Sequence, residues 1–157
     1  MKQQTILFSG GGTMGSVTPL LAVYSRLKRR HPKTRFLWVG TRHGPEGPFV
    51  RQFGLPFNPI FSGKLRRYFS VRNVIDVWYV LLGFFQSIRL LLRERPALLI
   101  SAGAYVSVPL HWVGKLLGVR SVILQQDLEI GLSNKLMAPF ASRIFVSLPE
   151  ALNYFSK

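Results

Sequence analysis

The residues with the clearest chemical potential are Gly10-Gly11-Gly12-Thr13-Met14-Gly15-Ser16. Glycine tolerates positive φ and lets a ligand approach the backbone closely. The run joins a β-prone segment to a helix-prone one, and free N–H groups at a helix start suit a phosphate. Gly10-x-Gly12-x-x-Gly15 also fits the dinucleotide fingerprint, and Arg42, after the next apolar run, would suit a 2′-phosphate. A tight turn between strand and helix is the bland alternative.

Composition narrows the chemistry further. The chain has 157 residues, about one domain, with 48% apolar and 17% charged residues, enough for a core and too little charge for a disordered tail. There are no cysteines, which excludes a disulfide scaffold, a thiolate metal site and a cysteine nucleophile. His31, His43 and His111 are too scattered for a ligand set, so neither a metal nor a cofactor is expected. Lys and Arg number 21 against 6 Asp and Glu, a net charge of +15 that attracts polyanions: nucleic acid, anionic lipid or a phosphorylated substrate. MKQQTILFSGGG contains no apolar stretch with a cleavage site, which predicts a cytoplasmic protein. The most apolar stretch, 74–92, is broken by Asp76, Gln86, Ser87 and Arg89. Its uninterrupted part falls far short of the roughly 20 residues of a span.

The elements that must position these groups alternate. Strands are predicted at 5–9, 35–40, 57–61, 97–101, 121–125 and 143–146. Helices are predicted at 19–30 (Thr18 as N-cap, Pro19 at its first position), 48–53, 71–95 (Ser70 as cap, Pro96 as stop), 107–117 and 132–140. Short apolar strands alternating with helices mean βαβ units. The expectation is one α/β domain, a doubly wound, Rossmann-like parallel sheet. Its ligands should bind at the C-terminal strand ends.

The glycine run continues as Gly11-Gly12-Thr13-Met14-Gly15-Ser16-Val17-Thr18-Pro19, which resembles the GGTGGHxxP loop of the MurG family. These are lipid-linked N-acetylglucosaminyltransferases of peptidoglycan synthesis. Further matches follow in order. Gly40-Thr41-Arg42-His43-Gly44-Pro45-Glu46 resembles GT-x-x-G-x-E, and Phe53-Gly54-Leu55-Pro56-Phe57 resembles the G-I-P-F turn. Gly103-Ala104-Tyr105-Val106-Ser107-Val108-Pro109 resembles GGYVSGP. Gln125-Gln126-Asp127 with Gly131-Leu132-Ser133-Asn134-Lys135-Leu136 resembles HEQN-x-x-x-GLTNKxL, and Ser147-Leu148-Pro149-Glu150 resembles SFPE.

The resemblance covers nearly the whole chain. It implies the N-terminal, acceptor-side half of a GT-B glycosyltransferase, with the donor half outside these 157 residues. It implies an inverting, metal-independent transfer of N-acetylglucosamine from UDP-GlcNAc to a polyprenyl-diphosphate-linked sugar. Gly11, Gly12, Thr13, Met14 and Gly15 would hold the acceptor diphosphate. Tyr105, Gln125, Gln126, Asp127 and Asn134 would line the cleft. The departures are Met14 for a loop glycine, Ser16 for the loop histidine, and Leu124-Gln125-Gln126-Asp127 for HEQN. Ser16 and Asp127 therefore stand where catalytic groups would be sought. A serine has no accessible pKa for proton acceptance near neutrality. Asp127 is as readily a solvated carboxylate or a helix cap.

Lys64, Arg66, Arg67 and Arg72 precede a helix carrying Trp78, Tyr79, Phe84 and Phe85, and Arg89, Arg93 and Arg95 follow. A helix on a sheet needs one apolar stripe. This one is apolar almost all round over 77–85, so some large side chains lack a home in a lone domain. Exposed apolar groups rimmed by cations suit an anionic bilayer surface, and MurG-like proteins dock similarly on the cytoplasmic face of the cell membrane. A buried helix or a subunit contact are the other readings. No nucleic-acid recognition motif is present. The leading expectation is the acceptor and membrane half of a transferase, working with a donor lobe on another or a longer chain. A split transferase with a different lipid acceptor, and a degenerate lipid-binding or membrane-tethering module, are alternatives. NADP binding comes last, because it explains the loop and none of the later motifs.

Overall fold

The computed structural model describes residues 4–63 and 72–155. Six strands form one parallel sheet: β1 (Thr5–Ser9), β2 (Arg35–Thr41), β3 (Phe57–Ile60), β4 (Leu98–Ser101), β5 (Arg120–Gln125) and β6 (Arg143–Val146). Their order is β3-β2-β1-β4-β5-β6. The crossovers carry α1 (Thr18–Arg30), α2 (Glu46–Gln52), α3 (Arg72–Glu94), α4 (Ser107–Leu116) and α5 (Leu132–Met137).

Strand side chains alternate between faces, so neighbours on β1 enter different cores. Phe8 packs with Leu20, Leu21 and Tyr24 of α1, Phe36 and Trp38 of β2 and Val50 of α2. Leu7 packs with Leu90 and Leu91 of α3 and Leu110 and Val113 of α4. A third cluster joins Ile123 of β5 to Val108 and Met137. Helices therefore cover both faces, the doubly wound arrangement the apolar strands predicted. The two edges differ from the centre. Pro59 sits on β3 opposite Gly40 and is exposed, tolerable because an edge strand can dispense with one N–H. β6, at the other edge, leaves Phe145 exposed.

Several boundaries differ from the sequence-based expectation, each for a local reason. Thr18 is not a cap: a 3-10 turn at Met14–Ser16 runs through Val17 into α1, and the Thr18 hydroxyl donates to the Met14 carbonyl. α2 starts at Glu46 rather than at residue 48, leaving Pro48 in the first turn, where its missing N–H is harmless. α5 ends at Met137 and tightens to a 3-10 turn at Ala138–Phe140, where Pro139 removes a helical donor. Ser70, the expected cap of α3, lies outside the described residues.

His111 of α4 is wholly buried, with Nε2 2.8 Å from Ser101 Oγ. Its Nδ1 has no hydrogen-bond partner among the described residues. Burial drives its pKa from the usual 6.5 to about 3, so the ring is neutral. At the base of the sheet Glu94 accepts from Arg35 and Arg93. Burial pushes its carboxyl up, and those hydrogen bonds and charges outweigh it, holding the group below its ordinary value.

Candidate functional site

β1 pairs with β2 on one side and β4 on the other, so the crossovers that leave β1 and β4 run in opposite directions. A crevice opens at such a reversal, beyond the C-terminal strand ends. A cleft of about 450 Å³ lies there, lined by residues of the loops that follow β1, β4 and β5. Gly11, Gly12, Thr13, Gly15, Ser16, Tyr105, Gln125, Gln126, Asp127 and Asn134 all line it. The structure thus gathers the predicted site residues, except Met14, into one cavity. Met14 is half-buried and packs instead against the α1-side core.

The glycine loop is tied from below. Gly10 donates to the Val39 carbonyl, and Trp38 Nε1 donates back to the Gly10 carbonyl at 3.0 Å. Gly12 N–H donates to Glu46 Oε2 at 3.2 Å. Glu46 Oε1 accepts from both the backbone N–H and the hydroxyl of Thr41, each at 2.5 Å. This carboxylate is fully buried and fastens the end of β2 to the loop after β1. Its neighbours must be glycine, since a Cβ on Gly11 or Gly44 would stand 2.1 or 1.9 Å from a Glu46 oxygen. Gly12 itself adopts φ +80, the left-handed region that favours glycine.

Ser16 is buried, and its Oγ accepts from the Gly11 N–H at 3.2 Å with the carbonyls of Gly11 and Thr13 within reach of its own proton. The hydroxyl is therefore engaged in bracing the loop. Two of the expected phosphate donors, the N–H groups of Gly11 and Gly12, are likewise engaged within the protein. Those of Thr13, Met14 and Gly15 remain uncommitted among the described hydrogen bonds. They head the 3-10 turn, where the first N–H groups lack partners along the chain. The dinucleotide fingerprint needs its loop to open α1 directly, and here that turn intervenes.

On the opposite wall, Gln125 Nε2 donates to the carbonyls of Asp127 and Glu129 at 2.7 and 3.0 Å. Two carbonyl partners fix which end of the Gln125 amide is nitrogen. Its Oε1 must then face Asn134, whose Nδ2 donates to it at 2.6 Å. Asn134 Oδ1 is left buried at the cleft wall with no donor among the described residues. A buried acceptor without a partner is uncommon in folded proteins, and a ligand hydroxyl would satisfy it. Gln126 and Asp127 are exposed at the rim.

Sequence reasoning read Glu46 only as part of a motif and missed its place beneath the loop. The readable signal was a carboxylate flanked by Gly44 and Gly47 in a chain with few acids. A second cavity, of about 400 Å³, also escaped it; Gly12, Arg42, Phe61 and Tyr79 are among its lining residues.

α3 presents Val77, Trp78, Leu81, Leu82, Phe85 and Leu92 outward, with Trp78 65% and Phe85 64% exposed. Arg89 is exposed in the same helix. Phe84 instead turns inward against the core, and the Tyr79 ring stacks on Phe61. Lys64, Arg66 and Arg67 lie outside the described residues. No helix among the described residues is long and apolar enough to cross a membrane.

Residues 6–146 match the glycosyltransferase family 28 N-terminal domain. The UDP-N-acetylglucosamine–N-acetylmuramyl-(pentapeptide) pyrophosphoryl-undecaprenol N-acetylglucosamine transferase of Clostridium novyi is 36% identical over 98% of this chain and 43% of its own length. The protein of the same name from Borrelia hermsii is 36% identical, over 98% and 42%. The chain thus spans less than half the length of these curated relatives. The crystal structure of Acinetobacter baumannii MurG shares the fold with a TM-score of 0.79 at 22% identity, covering 94% of this chain and 42% of that one. A UDP-GlcNAc 2-epimerase from Methanocaldococcus jannaschii shares it at 0.69 and 14% identity, over 98% and 42%. With its glycine loop and its six-stranded sheet both accounted for, the chain belongs to glycosyltransferase family 28, as a match to that family's N-terminal domain.

Proposed function

We propose that this chain is the acceptor-binding half of a transferase that moves N-acetylglucosamine from UDP-GlcNAc to a polyprenyl-diphosphate-linked sugar. The observation that carries the reading is the cleft. It sets uncommitted N–H donors at Thr13 and Gly15 opposite an unpartnered acceptor at Asn134, so one wall suits a diphosphate and the other a sugar hydroxyl. The names of the relatives supply the ligand class. The diphosphate sits over Thr13 and Gly15 rather than Gly12, whose N–H is held by the Glu46 carboxylate. Ser16 braces the loop, and Asp127 at the rim is the remaining candidate for accepting a proton. A lobe that offers so few titratable groups relies on a donor lobe, on another chain or a longer one, to bring the second substrate into line.

Transfer of radiolabelled N-acetylglucosamine from UDP-GlcNAc to lipid-linked acceptor in anionic vesicles tests this. The expected result is no product from this chain alone and product once a donor lobe is supplied. Absence of product with any donor lobe, alongside retained acceptor binding, would favour a degenerate lipid-binding module.

The exposed stripe of α3 is the proposed docking surface, on the cytoplasmic face of the membrane. Apolar side chains enter the headgroup boundary while the net charge of +15 draws the domain to anionic lipid. Trp78→Glu and Phe85→Glu should each weaken co-sedimentation with anionic vesicles by about tenfold. High salt should weaken it further by screening. Undiminished binding in both variants would sink the assignment.

A further inference from the structure

The second cavity lies between the C-terminal ends of β2 and β3 and the described part of α3 that carries Tyr79. Its walls include Gly12, Arg42, Pro45, Ile60, Phe61 and Tyr79. Two of these tie it to features already described. Gly12 lines both this cavity and the cleft, so the two meet at the glycine loop. Tyr79 neighbours Trp78 on α3, where the exposed apolar stripe begins. The cavity thus bridges the loop and the proposed membrane surface.

Its aromatic wall is built rather than incidental. The Phe61 and Tyr79 rings are nearly parallel, 6° apart in plane, with centroids 5.4 Å apart. The Phe61 N–H donates to Gln86 Oε1 of α3 at 2.8 Å. Gly83, one turn before, has no side chain because a Cβ there would stand 2.2 Å from the Phe61 carbonyl oxygen. Helix and strand exit are therefore in close contact, which fixes the Phe61 backbone that carries the ring. The Arg42 guanidinium lies over the Phe61 ring, 4.1 Å from its centroid. No carboxylate pairs with Arg42 among the described residues. Stacking orders the guanidinium while leaving its N–H edges available for an anion.

We propose that this cavity is an isoprenoid slot, which takes the first prenyl units of a polyprenyl diphosphate along the Phe61–Tyr79 wall while Arg42 meets the phosphate that bears the chain. The proposal rests on the diphosphate reading of the glycine loop and adds to it a route for the hydrocarbon. A mostly apolar wall of two stacked rings, ending in one ordered cation, matches an apolar chain joined to an anion. It suits neither a free sugar, which needs several polar partners, nor a bare phosphate, which gains nothing from the rings.

The test compares inorganic pyrophosphate with farnesyl diphosphate, a soluble probe without sugar or membrane, by calorimetric titration of the whole chain. Farnesyl diphosphate should bind at least about tenfold more tightly, since apolar area leaves water only with the prenyl group. Phe61→Ser should bring the two affinities to within about twofold of each other, with pyrophosphate itself weakened only as far as Arg42 loses the ring that orders it. Because this variant disturbs a packed ring, the wild-type chain supplies a second readout. Prenyl methyl protons should show nuclear Overhauser contacts to the Phe61 and Tyr79 rings. Pyrophosphate binding with no farnesyl advantage overturns the slot and leaves the loop reading standing. Binding of neither probe overturns both. A farnesyl advantage that Phe85→Glu abolishes and Phe61→Ser does not would place the chain on the outer face of α3 and overturn the slot.

Discussion

Glu46→Ala should lower the unfolding free energy by about 2–4 kcal/mol, because it strands three donors at once. The N–H groups of Gly12 and Thr41 and the Thr41 hydroxyl all end on this carboxylate. Donors near the surface recover part of the loss from water, which keeps the effect below three full desolvation penalties. Against a typical total of about 5–15 kcal/mol the change is large. Glu46→Gln keeps the shape and restores only part, since an amide NH2 would face a donor where a carboxylate oxygen now accepts. Urea melts of the two variants check the order. Titration with pyrophosphate checks the consequence: the loop loses the Gly12 tie to β2 and keeps only those at Gly10, so affinity should fall in Glu46→Ala by more than stability alone requires. Wild-type affinity in a folded Glu46→Ala protein would show that the carboxylate does not shape the loop.

The second large effect belongs to His111. In the folded chain the ring stays neutral until about pH 3, whereas unfolded it titrates near 6.5. Between those values the unfolded state binds the extra proton, so stability falls as the pH falls. The slope approaches about 1.4 kcal/mol per pH unit below the unfolded value, so roughly 2 kcal/mol is lost between pH 6.5 and 4.5. Glu94 acts in the same direction, since its carboxyl is held low in the fold, but only below its ordinary 4.5. The window above pH 4.5 therefore separates the histidine from Glu94. His111→Leu should flatten the curve across that window, whatever its own stability at pH 7. A slope unchanged by the substitution would assign the acid sensitivity elsewhere.

Much of the architecture was legible because the strands are short, apolar and separated by helical periodicity. Leu7 and Phe8 show why: a strand buried on both faces has no polar side to hide. The cleft residues other than Met14 were legible through motif order, since Gly11, Gly12, Thr13, Gly15, Ser16, Tyr105, Gln125–Asp127 and Asn134 meet only where β1, β4 and β5 end. What the sequence concealed was the use of each polar group. Ser16 looks free in a string of letters, yet its hydroxyl is engaged by Gly11. Asn134 looks like any amide, yet the two carbonyls on Gln125 decide which of its atoms lacks a partner. Glu46 and Gly12 are 34 positions apart, and only the pairing of β1 with β2 brings them together. Phe84 and Phe85 are adjacent and chemically alike, and helix phase alone sends one to the core and the other to solvent.

The strand order has a consequence for how the chain is made. Of these six strands β1 leaves the ribosome first, and it lies in the interior of the finished sheet, between β2 and β4. Its partner on one side follows soon, at Arg35. Its partner on the other begins only at Leu98. At roughly 5–20 residues per second, the β4-facing edge of β1 waits about 5–20 s with its N–H and C=O groups unpaired. For that interval Leu7 also lacks α3 and α4. The nascent chain therefore presents an open, apolar strand edge until β4 emerges. Chaperones that hold such edges should matter more to the yield of this protein than the stability of its finished fold would suggest.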